Sequence, residues 1–586
     1  MGSSVSLLTT VGARLAAGQE MDTSVRDVGS LLKFYRKNKY PLLAPGFWCN
    51  GNGFTHTPDF VAARQSHAAV LRSLRAGYVA VRDRWAERGI PCIMIKSADR
   101  FLPFPYTSDN LDILIHPEHE AAAREVLLDL GYLELKKLDE PQKFLFRKFH
   151  GGETVSDIHL HSRVGWGVGF MNDQSIWARS IVSESDGMVR VPSPEDTVLI
   201  TLAHAFYENK CLSLADLAKV RNSCHRALDW DYLKSVAAQA GWFDGLCFSL
   251  SLCHYLEQSV FTRSLLPDNV VQAARAGLRQ SPVASRYFDR LVRRGGVKLP
   301  FSVSFWFSKY LFYRKILRDG RLPLWERLYE VVRVTLRGFR LKGNIRPQGP
   351  FLVAFSGLDG AGKTRHAETL QKALDACGLR TRYYWSRCGT TGLTRLFSRL
   401  VSKARGPRQE TGEKTGAEGR PSRLENPAVR LAWTFLTVLD AVIANVIHVR
   451  LPMATRGTIM ICDRYIADAA AEIESSLVKA SWLQRRLIDL MFALTVKPDV
   501  SVLLDVPENV SADRRQSDPE SDYLTRLHRI YQELAERRGM VKKDNRTGFE
   551  DVADSIVRMV APRYYEVYPT PLNGLFLSNP GQINRR

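Results

Sequence analysis

Cysteine is scarce in this chain. Only nine of its 586 residues are cysteine, an odd, scattered set without a C-x-x-C pair. That excludes a disulfide-stapled scaffold and points to reduced thiols in a cytoplasmic protein. The N-terminus lacks a charged start followed by an apolar core, so no secretory leader is expected. Met1-Gly2-Ser3-Ser4-Val5-Ser6 does fit the loose myristoylation pattern. Long apolar runs are also missing. The best membrane-span candidate, Leu431 to Val449, carries Asp440, Asn445 and His448. These are costly in lipid, so a buried or amphipathic helix is expected. Internal repeats and motifs that read DNA or RNA are absent. Acidic residues number 61 against 82 basic ones, a formal net charge of +21. Such a surplus favours anionic partners: nucleotides, nucleic acid or an acidic membrane surface.

What is present suffices for large cores. Hydrophobic residues make up 45% of the chain, whose length suits about three or four domain-sized units. Residues 58–88 show helical spacing. Strand-like runs follow at Ile90–Ile95, Leu111–Ile115 and Val155–Leu160, with a helix from about Pro117 to Leu130. From about 195 to 345 the pattern is mostly helical, with breaks near Pro267, Gly295 and Pro323. Within it, Phe301–Tyr313 is aromatic-rich and reads as a core or surface-docking helix. Strand-like runs then recur at Phe351–Phe355, Thr381–Trp385, Thr458–Cys462 and Val500–Val506, with helices between. That alternation predicts a parallel sheet covered on both faces. The stretch Ser402–Arg423 lacks every apolar residue but alanine and reads as a mobile insertion.

One motif stands out: Gly357-Leu-Asp359-Gly360-Ala361-Gly362-Lys363-Thr364. It fits G-x-x-x-x-G-K-[ST], lies between an apolar strand and a helix, and so has the context of a phosphate-binding loop. Glycines let backbone N–H groups wrap phosphate oxygens, and the helix N-terminus adds partial positive charge. Lys363 can reach the β/γ-phosphates of ATP, and the Thr364 hydroxyl can hold Mg²⁺. Thr458-Ile-Met-Ile-Cys-Asp463 is an apolar strand ending in a carboxylate, as a second Mg²⁺-side element requires. Arg464 follows, suited to an acceptor's phosphate. Arg514 and Arg515, after the strand around Val500–Val506, suit a lid that neutralises the transferring phosphoryl group.

In this order, GLDGAGKT, DRY, PD-x-x-x-x-LDVP and a basic lid, the chain resembles the thymidylate kinase family over roughly 350–562. The resemblance implies ATP and Mg as cofactors. It places Asp359 on the acceptor's sugar and Arg464 on its phosphate. Arg387 matches the arginine that follows the family's second strand, but the following Cys388-Gly389-Thr390-Thr391 loses Glu-Pro. The continuation Ile466-Ala-Asp468-Ala-Ala-Ala471 lacks the Tyr and Gln that touch thymine in the family. dTMP is thus a first guess among nucleoside monophosphates and related phosphorylated acceptors.

Residues 58–260 resemble a minimal nucleotidyltransferase family through Lys96-Ser97, Ser108-Asp109-Asn110-Leu111-Asp112 and Asp157-Ile-His159-Leu-His161. The later Leu202-Ala-His204 and Leu214-Ala-Asp216 runs look like that family's helical part. Such chemistry needs carboxylates holding two Mg²⁺ about 3.5–4 Å apart. Here Asn110, Asp112 and Asp157 are the metal candidates, and His159 stands at the third carboxylate position. The site is weakened, and it reads as active or as degenerate.

The fold expectation is α/β: an N-terminal α+β nucleotidyltransferase-like domain (58–260), a helical connector (261–345) and a C-terminal parallel-sheet P-loop kinase domain (346–572). An unassigned segment (1–57) and a tail (573–586) flank them. Nucleotides are the expected partners, and homodimerisation is left open. The alternatives are a bifunctional nucleotidyltransferase/kinase and a basic nucleic-acid or membrane-surface module that uses ATP as a switch.

Overall fold

The computed structural model describes residues 6–17, 27–44, 53–96, 98, 110–135, 142–184, 186–224, 228–342, 348–385, 427–475, 481–515, 522–546 and 548–568. Asp109, Arg387, the insertion 402–423, the myristoylation glycine Gly2 and the tail 573–586 lie outside them. The protein is mixed α/β and divides into two compact units. One comprises the described residues up to 148 together with 155–345; the other comprises 149–154 and those from 348 on.

The first unit begins with two helices, α1 (Leu7–Ala16) and α2 (Val28–Lys37). They fall in the segment left unassigned from sequence. Asp27 caps α2 by accepting from the Ser30 N–H at 2.9 Å. The long helix α3 (Pro58–Glu87) leads to β1 (Cys92–Met94) and β2 (Leu111–Ile115). After α4 (Glu120–Asp129) come β3 (Leu133–Leu135), β4 (Lys143–His150) and β5 (Glu153–His161). The five strands lie in the order β1-β2-β5-β4-β3. β2 and β5 run parallel, with Asp112 opposite His159.

Strand alternation divides these side chains between two faces. Leu111, Ile113, Ile115, Ile158 and Leu160 join a core with Tyr78, Val81 and Trp85 of α3. Asp112, Leu114, His159 and His161 take the other face, towards a helical layer. That layer includes α5 (Pro194–Ala203), α6 (Phe243–Phe261), α7 (Phe305–Arg318) and α8 (Leu324–Lys342). A single apolar cluster runs from Val11 and Phe34 through Leu246 and Phe248 to Phe307 and Val334. Thus α1, α2 and the helical connector share one core with the middle of the unit.

The second unit is wound around β6 (Phe351–Ser356). A glycine-rich loop joins β6 to α9 (Lys363–Ala376), followed by β7 (Thr381–Trp385) and, further on, α10 (Pro427–Asn445). Then come β8 (Ile459–Asp463), α11 (Ile466–Ser475), α12 (Trp482–Leu494) and β9 (Val500–Asp505). The unit ends with α13 (Glu508–Arg515), α14 (Asp522–Arg538), β10 (Val541–Asp544) and α15 (Phe549–Val567). The sheet order is β7-β8-β6-β9-β10 and every pairing is parallel. The central strands β6 and β8 are buried at every residue, as a sheet covered on both faces requires.

The segment Arg430–Arg456 is long and apolar enough to cross a membrane by length and composition. It nevertheless buries Thr434, Thr437, Asp440 and Asn445. The Asn445 amide donates to Tyr465 Oη at 2.5 Å and accepts from the Val496 N–H at 3.2 Å. These bonds tie the segment to Tyr465 and Val496 of its own unit, while Phe435, Ile447 and Leu451 are each more than half exposed.

Candidate functional sites

The glycine loop sits at the C-terminal ends of β6 and β8, where a parallel sheet leaves a crevice. Gly357, Gly360 and Gly362 have φ of 143°, 90° and 88°, backbone states that side chains disfavour. A Cβ at Gly357 would stand 2.5 Å from the Leu504 carbonyl oxygen. The loop therefore needs glycine both for its turn and for its close approach to β9. Ala361 is buried beneath it, and its carbonyl accepts from Asn545 Nδ2 at 2.8 Å. Asn545 Oδ1 meets His366 Nε2 at 3.0 Å, so the residue after β10 braces both loop and helix.

Lys363 opens α9. Its ammonium donates to the carbonyls of Gly357 (2.8 Å) and Leu358 (2.9 Å) and lies 3.5 Å from Asp359. Burial lowers its pKa. Next to it, Thr364 Oγ1 donates to Asp463 Oδ2 at 2.5 Å, and Tyr383 Oη of β7 donates to the same oxygen at 2.9 Å. Asp463 is buried, and its Oδ1 has no hydrogen-bond partner among the described residues. A buried carboxylate oxygen without a donor, beside a threonine hydroxyl, is a suitable donor set for a hard cation such as Mg²⁺.

Arg464 has φ of +71°, a strained state for a side-chain-bearing residue. It forms an ion pair with Asp359. Behind them Asp468 is buried and accepts from Ser356 Oγ (2.6 Å), Tyr531 Oη (2.9 Å) and the Tyr465 N–H (3.0 Å). Burial raises the Asp468 pKa against the pull of Lys363 and these donors. Helix α13 is tied to the loop, since Ser511 Oγ donates to the Asp359 carbonyl at 2.6 Å. Arg514 and Arg515 close that helix. His528 of α14 spans Asp505 (2.9 Å) and Glu508 (2.8 Å). Burial opposes its charge, but the two carboxylates prevail and raise its pKa.

The structure thus brings Asp359, Lys363, Thr364, Asp463 and Arg464 together. Tyr383, Ser356, Asp468 and Ser511 join them without having been singled out as site residues in the sequence. Asp468 had drawn notice only as part of an altered motif.

The first unit holds a second cluster. Asp112 Oδ1 accepts from Lys96 Nζ and His161 Nε2, both at 2.9 Å, and lies 3.4 Å from His159 Nδ1. Its Oδ2 accepts from Asn110 Nδ2 at 2.6 Å. Burial works against the charge of Asp112, but Lys96 and the two histidines outweigh it and hold its pKa well below the usual range. Burial pushes His161 down to about 3, so it is neutral at physiological pH. Asp157 is drawn away into an ion pair with Arg147 on β4. A carboxylate not read from sequence stands in a π-helical turn, His204–Asn209: Glu208 lies 3.6 Å from Lys143 and 3.1 Å from His204. Among the described residues, no group of three or more His, Cys, Asp or Glu is arranged to hold a metal ion.

Comparison with known proteins gives first a class. Residues 58–257 match the model of a family described as "Uncharacterised nucleotidyltransferase". The chain is also similar to a "Probable thymidylate kinase" of Staphylothermus marinus. The identity is 24% over 220 residues, which cover 36% of this chain and 94% of that protein. These findings match the two-part resemblance read from sequence, and both point to a nucleotide-related transferase.

Proposed function

We propose that the protein is an ATP- and Mg-dependent phosphotransferase of the thymidylate kinase type. It moves the γ-phosphoryl group of ATP to a nucleoside monophosphate or related phosphorylated acceptor, with dTMP the first to test. The observation that carries this reading is the Thr364–Asp463–Tyr383 cluster at the mouth of the glycine loop, with Asp463 Oδ1 buried and without a donor among the described residues. Thr364 and Asp463 would hold Mg²⁺, which would neutralise phosphate charge during transfer.

The remaining chemistry is positioning by the chain itself. The loop N–H groups and the start of α9 cradle the donor phosphates. Lys363, held at the loop by the Gly357 and Leu358 carbonyls, supplies a fixed cation beside them. Arg464 and Asp359, already paired, present a cation and an acceptor oxygen to the phosphate and sugar of the second substrate. Arg514 and Arg515, whose side chains lie outside the described residues, would neutralise charge on the transferring group from the end of α13, a helix that Ser511 ties to the loop. No protein nucleophile is required, since transfer is in line between bound substrates.

The first unit serves this enzyme as an accessory nucleotide-binding domain. Asp112, the carboxylate its own transfer chemistry would need, is engaged by Lys96, His161 and Asn110. The test is ADP formation with Mg²⁺ across a panel of monophosphates, wild type beside Lys363→Ala. Release of pyrophosphate that Asp112→Ala abolishes would instead make the first unit a working transferase.

A further inference from the structure

Helix α8 has two apolar faces where a surface helix of a globular protein has one. Val334 is buried and Val331 packs against the core of the first unit. Almost opposite, Trp325, Leu328, Tyr329, Val332, Leu336 and Phe339 are each 51–68% exposed. At 100° per residue these six fall within an arc of about 100°, a continuous outward stripe. The helix is fixed from within. Tyr313 of α7 and Thr335 of α8 share a hydrogen bond of 3.0 Å, and Arg333 donates to the Gly167 carbonyl and pairs with Glu330. The stripe is therefore presented by a rigid hairpin. At the start of α7, Trp306 is 76% exposed.

The charge around the stripe selects its partner. The chain has a net charge of +21. Within residues 305–342 Lys315 is buried against Asp319, and Arg314 and Arg318 face Asp244. The basic positions beside the stripe are therefore those of α8 itself, where at 100° per residue Arg333, Arg337 and Arg340 fall along one edge of the stripe. Tryptophan, tyrosine, phenylalanine and leucine on one face, with arginine positions along its edge, is the composition of a helix that lies in the headgroup region of an anionic bilayer. At 19 residues with Glu326, Arg327, Glu330 and Arg333 inside it, α8 is suited to lie on a membrane rather than span it. A protein partner would be served by the apolar stripe alone; the basic surplus adds affinity for phosphate-bearing lipid.

We propose that the α7–α8 hairpin docks the protein on an anionic membrane surface, with the Trp325–Phe339 stripe inserted among the headgroups. The inference does not depend on the activity of either site.

The test is co-sedimentation of the full chain with vesicles of phosphatidylcholine alone and of phosphatidylcholine with one quarter phosphatidylserine. The wild type is compared with Trp325→Glu/Leu336→Glu. Binding to the anionic vesicles, weakened by salt, is expected, with a loss of about ten-fold or more in the variant. Both side chains are exposed, so its melting temperature should stay that of the wild type. The proposal is overturned by absence of binding to anionic vesicles at low salt, or by binding the variant retains. It is equally overturned if light scattering shows the stripe consumed by self-association that the variant abolishes.

Discussion

The Thr364 hydroxyl donates to the Asp463 carboxylate at 2.5 Å across 99 positions of sequence. It joins the first turn after the glycine loop to the end of the neighbouring strand. Asp463→Asn keeps the volume but removes the charge that two hydroxyls now face. Phosphotransfer should fall by about 100-fold or more, while the melting temperature changes little. Thr364→Ser, which keeps the hydroxyl, should retain most activity and Thr364→Val should not. Initial rates of ADP formation decide it; full activity in Asp463→Asn would remove this pair from the site.

Gly357 has no room for a side chain. Its φ of +143° and the Leu504 carbonyl 2.5 Å from an added Cβ act together. Gly357→Ala should destabilise the second unit by about 1–3 kcal/mol or more through strain. Gly187→Ala, where an added Cβ meets nothing within 4 Å, is the control and should be near neutral. Urea titration of both variants gives the comparison.

Lys315 and Asp319 form an ion pair at 2.6 Å, each side chain 1% exposed. Burial pushes the lysine pKa down to about 8 despite its partner. Asp319→Ala leaves that ammonium buried and unpaired, so a loss of about 3–5 kcal/mol is expected. Calorimetry should show the first unit melting earlier. An unchanged melting temperature would mean that the charge finds water or another partner.

His161 gives the first unit a pH dependence of known sign. Its folded pKa, about 3, lies below the ordinary 6.5. Below pH 6.5 the unfolded chain takes up a proton that the folded chain refuses, so stability falls as pH drops towards 3. Asp112 acts in the same direction at the acid end, because its depressed pKa contributes stability that is lost as pH falls. The histidine alone sets a slope of up to about 1.4 kcal/mol per pH unit. His161→Gln should flatten the profile measured by denaturation between pH 7.5 and pH 5. A slope that the variant does not change would place the titration elsewhere.

Much of the second sheet was legible because its strands are short apolar runs between amphipathic helices. Thr381–Trp385 and Leu111–Ile115 have the bounds their patterns predict. Two of the longer strands that were missed carry charge. Lys143–His150 holds Lys143, Arg147 and Lys148, and Val541–Asp544 is an edge strand reading Val-Lys-Lys-Asp. Lysine at an edge blocks further pairing and erases the apolar signal. Helices α1 and α2 gave weak signals because their order comes from packing against distant residues such as Val260, whose carbonyl accepts from Arg14 at 3.0 Å. The glycine loop was legible because its chemistry is contiguous. Tyr383 and Ser511 were not, since only the sheet register and the turn into α13 bring them to that loop.

The most direct measurement is ADP formation from Mg-ATP with dTMP and other monophosphates, wild type beside Lys363→Ala, with circular dichroism to verify the fold. The account predicts turnover that requires one of these acceptors and is lost in the folded variant. A variant that turns over as fast as the wild type would contradict it.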